Sequence, residues 1–136
     1  MIQFHAEDIE LPTLNETKIT RWIKTIAAKY NFRTGNINYV FCSDEKILEV
    51  NKKFLEHDYY TDIITFDYST ANIVAGDIFI SLDTVQSNAQ THNQSFENEL
   101  HRVIIHGLLH LTGQSDASPD ERAEMIRKEN DALDDL

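Results

Sequence analysis

His106 and His110 stand four residues apart in the stretch HGLLHLTGQSD, and Asp116 follows six residues after the second. Residues at i and i+4 lie one above the other on a helix, so both imidazoles can reach one ion. Their neighbours are almost all apolar. Two imidazoles buried there need hydrogen bonds or a metal to offset lost hydration. Gly113 ends the helical pattern, and a short turn can bring Asp116 back over the helix end. Three protein ligands plus one open position is the arrangement of a catalytic zinc site, whereas a structural site is closed by four. Two histidines and a carboxylate also suit other divalent ions. The plainer alternative is a pair of core histidines bonded to carbonyls, with Asp116 capping a turn. The spacing favours one divalent ion, with Zn2+ first among the candidates.

The pattern H-x-x-x-H-x-x-G-x-x-D resembles the zinc helix of metzincin peptidases. In that motif a glutamate directly after the first histidine is the general base. Here the position is Gly107, which has no side chain to take a proton. A zinc-dependent peptidase is therefore a rival reading with a specific objection.

The elements that must hold these residues can be read from periodicity. Phe96, Leu100, Val103, Ile104, Leu108 and Leu111 share one face of a helix from about 96 to 112, and Ile105 and Leu109 widen its apolar arc. A helix apolar on most sides is a buried one. Its remaining polar strip is Glu99, Arg102, His106 and His110, which makes Glu99 and Arg102 candidates to orient the ligands. Ser118, Pro119, Asp120 and Glu121 form a helix start with proline at the first position.

Upstream, IQFHAED alternates like a strand. Ile19, Trp22, Ile23, Ile26, Ala27 and Tyr30 fall at helical spacing, capped by Thr13 with Glu16 or by Asn15 and followed by Gly35. NINYVFCS is a strand. A helix beginning at Ser43 to Glu45 buries Ile47, Val50 and Phe54. DIITFDY and NIVAGDIFIS form a hairpin across STAN, and a weaker helix spans 82 to 92. The order β α β α β β α α α predicts an α+β domain over 1–136, a small mixed four-stranded sheet packed with about five helices. The metal site falls at the end of the buried central helix.

Composition narrows the function. With 136 residues, 41% hydrophobic and 26% charged, the chain has the size and balance of one globular domain. Its net charge of −11 argues against a broad electrostatic hold on nucleic acid, but leaves room for a metal that meets phosphate directly. Cys42 is the only cysteine, so there is no disulfide partner within the chain and no cysteine-based zinc site. No segment has the length and apolarity of a membrane span. The first residues carry acids where a signal peptide has a basic region, so the expected location is cytoplasmic.

The whole motif resembles that of the YbeY family, small metal-dependent endoribonucleases of ribosomal RNA maturation, whose signature is approximately H-G-x-L-H-L-x-G-Y-D-H. The chain matches at His106, Gly107, Leu109, His110, Leu111 and Gly113. Asn51, Phe54, Asp58 and the run Thr61 to Phe66 resemble the family's L-N-x-x-Y-R-x-x-D-x-P-T-D-V-L-S-F. Gly76 to Ser81 resembles its G-D-I-x-I-S strand. The resemblance spans roughly residues 36 to 116. It implies hydrolysis of single-stranded RNA in maturation of the 16S ribosomal RNA 3′ end and in ribosome quality control, with RNA and ribosomal particles as partners.

Three departures stand out. Asp116 replaces the family's third histidine, adding negative charge that weakens the ion's power to acidify water. Gln114 and Ser115 replace a tyrosine and an aspartate. Leu55 replaces an arginine, with Lys52, Lys53 or His57 as possible substitutes. No residue announces itself as general base. Tyr59 and Tyr60 could stack on bases, whereas Trp22 belongs to a core stripe. A further rival is a ribosome-binding protein whose metal only staples the helix end.

Overall fold

The computed structural model describes residues 1–55 and 62–136. Four strands form one sheet in the order β1-β2-β4-β3: β1 (Ile2–Ala6), β2 (Arg33–Cys42), β3 (Ile63–Asp67) and β4 (Ile73–Ser81). β1, β2 and β4 run parallel, while β3 pairs antiparallel with β4 as the second arm of the hairpin. Five helices accompany the sheet: α1 (Glu16–Lys29), α2 (Asp44–Leu55), α3 (Leu82–Thr91), α4 (Phe96–Leu111) and α5 (Pro119–Asp134). This is the mixed α+β arrangement expected from the order of elements.

Alternation along the strands sorts the two faces. Ile37, Tyr39 and Phe41 of β2 and Ile78 and Ile80 of β4 join the main core with Ile19, Trp22, Ile23 and Ile26 of α1 and the apolar arc of α4. The other face holds a smaller cluster, in which Cys42 and Ile64 meet Ile47 and Val50 of α2. α4 touches α1, α3, α5, β3 and β4, which explains its apolarity on nearly every side.

Local signals set the helix ends. Asn15, rather than Thr13, caps α1, its side chain accepting from the backbone N–H of Lys18. Ser95 caps α4. Ser118 and Glu121 form a reciprocal capping box at α5, with Pro119 at its start.

Two expectations need correction. Phe54 is not part of the buried stripe of α2 but 60% exposed. It sits on the last turn and meets Phe66 only edge-on, with ring centroids 5.9 Å apart, while Ile47 and Val50 carry the burial. Gly35 does not follow α1 but lies inside β2, close to a register shift against β4. The turn after α1 is made instead by Asn31 at φ 67°, a conformation that asparagine tolerates.

Candidate metal centre

α4 enters the core between the sheet and α5, and its polar strip faces α3 and α5. His106 and His110 lie in its second half, both partly buried. The helix stops at Thr112, and Gly113 adopts φ +96°, a left-handed value that suits glycine and turns the chain. That turn returns Asp116 to the histidines. His106 Nε2 lies 2.9 Å from His110 Nε2. Asp116 Oδ2 lies 3.4 Å from His106 Nε2 and 3.5 Å from His110 Nε2. The three expected residues thus converge, with one donor atom from each, in a cluster capable of holding a metal ion.

The far side of each ring decides which nitrogen is bare. His110 Nδ1 lies 3.0 Å from the backbone oxygen of Gln114. A carbonyl can only accept, so the proton is on Nδ1 and Nε2 keeps its lone pair. His106 Nδ1 lies 2.5 Å from Glu129 Oε2, and a carboxylate there likewise calls for a protonated Nδ1. With both Nδ1 atoms so committed, the two Nε2 atoms face each other at 2.9 Å and can share a proton or a metal ion. A tetrahedral zinc site with bonds of about 2.0–2.1 Å has donor atoms about 3.3 Å apart. The three separations here, 2.9, 3.4 and 3.5 Å, bracket that value, so the donor set fits a divalent ion.

Glu129 is the residue that sequence patterning missed. It comes from α5, is buried, and binds His106 with one carboxylate oxygen. Arg102 donates to the other oxygen from Nη1 at 2.8 Å, and to Asn130 Oδ1 from Nη2 at 2.7 Å. Arg102 therefore acts one step removed from the histidine, by holding the acid that holds the ring. Glu99, the other expected orienting residue, has its carboxylate 3.9 Å from His92 Nδ1, and no contact with His106 or His110 occurs among the described residues. A signal for Glu129 does exist. With Met125 and Ala132 it forms the buried stripe of a mostly polar helix, an acid where an apolar residue is the norm.

The electrostatics separate the two rings. Burial disfavours a charge on His106, but the hydrogen bond and charge of Glu129 outweigh it, so its pKa is held above the ordinary value. His110 lies below the ordinary value because of burial, reinforced by repulsion from His106. Asp62 lies on the same side of the molecule. Burial pushes its carboxyl up, Glu129 and Asp116 push the same way, and His106 opposes them.

Two departures from the family signature acquire a structural meaning. The Gln114 contact to His110 uses a backbone oxygen, so the side chain at 114 is not what orients that ring. A Cβ on Gly107 would lie 3.0 Å from Ile78 Cγ2 and 3.1 Å from Ile63 Cδ1. Position 107 faces the sheet, and a glutamate there would have to displace core side chains, which strengthens the objection to a peptidase. Lys52 and Lys53 are exposed on α2. Leu55 ends that helix. Its side chain, together with His57, Asp58, Tyr59, Tyr60 and Thr61, lies outside the described residues.

Comparison with known proteins agrees with the motif resemblance. The family model described as Endoribonuclease YbeY matches residues 1–136. A protein of Parabacteroides distasonis named Endoribonuclease YbeY is 56% identical over 132 residues, covering 97% of this chain and 93% of that protein. One of the same name from Bacteroides fragilis is 54% identical, covering 97% and 95%. The solution structure of Thermotoga maritima TM1509 superposes with a TM-score of 0.67 at 26% identity, covering 98% of this chain and 87% of that one.

Proposed function

The chain belongs to the Endoribonuclease YbeY family, and we propose that it is a single-strand-specific metallo-endoribonuclease whose metal is held by His106, His110 and Asp116. Two Nε2 lone pairs set 2.9 Å apart, each fixed by a partner on its own Nδ1, carry this reading. Zinc suits two imidazoles and a carboxylate with a fourth position open. A divalent ion in that place supplies Lewis-acid polarisation of a phosphate oxygen and lowers the pKa of water toward neutral.

The chain's own residues set the terms of that chemistry. His106 and His110 would turn Nε2 toward a bound ion, because their Nδ1 atoms are committed to Glu129 and to the backbone oxygen of Gln114. Asp116 adds a negative charge to the ligand set. Glu129 fixes the tautomer and plane of His106, and Arg102 offsets the charge of Glu129. The chain carries net charge −11, so the substrate strand is held chiefly at the reacting phosphate rather than by a broad basic face.

The substrate is ribosomal RNA, at the 3′ end of the 16S molecule, in maturation and quality control. The partners are ribosomal particles, and the location is the cytoplasm. Among the described residues no helix is long and apolar enough to cross a membrane. The deciding experiment is a single-turnover cleavage assay on single-stranded RNA, with and without chelator, alongside His110→Ala. Cleavage and bound metal are both lost in the variant if the reading is right. Full metal content with normal cleavage in His110→Ala would overturn it.

A further inference from the structure

A cleft of about 430 Å³ opens beside His106 and runs along α4 to Glu99, walled by α3, α4 and α5. Glu99 and His106 are seven residues apart on one helix, about 10 Å by helical rise. The cleft therefore extends from the metal centre by a distance on the scale of one nucleotide. Its far end holds an unusual group. The Glu99 side chain is only 6% exposed, and the His92 ring nitrogen Nδ1 is 3.9 Å away, beyond hydrogen-bond reach. Among the described residues no donor meets this carboxylate within hydrogen-bond distance. No fully buried side-chain oxygen among the described residues lacks a partner, so the unbonded carboxylate oxygens of Glu99 open on the cleft, where a ligand's donor can meet them.

The charges in the cleft restrict what that donor belongs to. Asp62, Glu99 and Glu129 line it, and Arg102 is already engaged by Glu129 and Asn130. A phosphate is repelled there and belongs at the metal. A neutral part of a nucleotide with N–H or O–H donors fits instead. Single-stranded bases are read on their hydrogen-bonding edges, and the ribose 2′-hydroxyl is both donor and acceptor. The amides of Asn88 and Asn130, on opposite walls, add further polar groups for such a ligand.

We propose that this cleft seats the nucleotide adjoining the cut phosphate, and that Glu99 accepts a hydrogen bond from its base N–H or its ribose 2′-hydroxyl. The proposal rests on the endoribonuclease reading of the His106, His110 and Asp116 cluster. It makes Glu99 a specificity-determining residue.

The test uses the full metal-loaded chain and short fluorescein-labelled single-stranded RNA, read by anisotropy for affinity and by kcat/KM for cleavage. Glu99→Gln keeps the shape of the side chain and should retain metal content and Tm. It should weaken affinity and kcat/KM by about tenfold, the loss of one hydrogen bond to a charged group. Ile126→Trp, at an exposed position on the cleft wall, should obstruct the cleft and weaken both in the same way. A single 2′-deoxy substitution beside the cut should cost the wild type the same factor and Glu99→Gln nothing if the donor is the hydroxyl. A base analogue lacking its N–H should do so if the donor is the base. Equal affinity and kcat/KM in wild type, Glu99→Gln and Ile126→Trp overturns the proposal. If Glu99→Gln does not fold, Ile126→Trp decides alone. RNA that is bound but never cut defeats the endoribonuclease reading, while the affinities of the variants still decide on the cleft. RNA that does not bind at all defeats both.

Discussion

His101 and His106 lie on the same helix, and both are partly buried, yet their pKa values move in opposite directions. At His101 burial lowers the pKa, Glu97 opposes this and Lys18 reinforces it. Its ring meets Trp22 edge-on at a centroid distance of 6.1 Å, a packing contact. At His106 burial again lowers the pKa, but Glu129 more than reverses the shift. Burial alone therefore does not set the state of a histidine. The group that meets its second nitrogen determines which tautomer it holds and where its lone pair points.

The largest effect that can break this contrast comes from paired alanine substitutions. His106→Ala should lose bound metal to background, measured by elemental analysis, and lose RNA cleavage with it. His101→Ala should keep both and lose only some thermal stability. Full metal in His106→Ala would erase the distinction between the two rings. Next in size is the support behind the ligand. Glu129→Gln should lower metal affinity by about 10–100-fold in chelator competition, because the carboxylate that orients His106 is gone. Arg102→Met should act in the same direction and less strongly, since it only loosens Glu129. An unchanged affinity in both would show that the ring is held by helix packing alone.

The packing side of the contrast has its own test. Trp22 Nε1–H donates to the backbone oxygen of Ala132 at 2.8 Å, tying α1 to α5 in a buried place. Trp22→Phe removes that bond, the oxygen keeping the backbone N–H of Asp135, and should cost about 0.5–1.5 kcal/mol in denaturant unfolding, with metal content intact. The smallest effect is the pH response of His101. Its folded pKa lies below the unfolded value, so the unfolded chain binds more protons between the two. Its contribution is fully present above the ordinary histidine pKa and is lost as pH falls through the lower, folded value. His101→Gln should flatten the acid side of the stability curve, and a curve unchanged by the substitution would remove the assigned burial effect.

Much of this molecule is legible in its sequence. Asn15, the Ser118 to Glu121 box and Gly113 are local signals, because a cap or a left-handed turn depends on residues within a few positions. The apolar arc of α4 is equally local, and it placed His106 and His110 on one strip. Phe54 misled because periodicity says which face a residue shares, not whether anything covers that face at the last turn. Glu99 and Arg102 share the strip, which marks them as candidates to orient the histidines. Arg102 reaches His106 only by way of Glu129, and Glu99 lines the cleft instead.

Glu129 shows where local reading stops. α5 carries acids at Asp120, Glu121, Glu124, Glu129, Asp131 and Asp134, and no short-range pattern tells which one meets a histidine 23 positions earlier. The sequence by itself determined most of the elements, their caps and the turn that returns Asp116 to the two histidines, since each follows from backbone preferences over a few residues. Tertiary structure decided how those donors are held. The packing of α5 against α4 is a long-range event, and only it places Glu129 behind His106, Arg102 behind Glu129, and a cleft ending at Glu99 beside them.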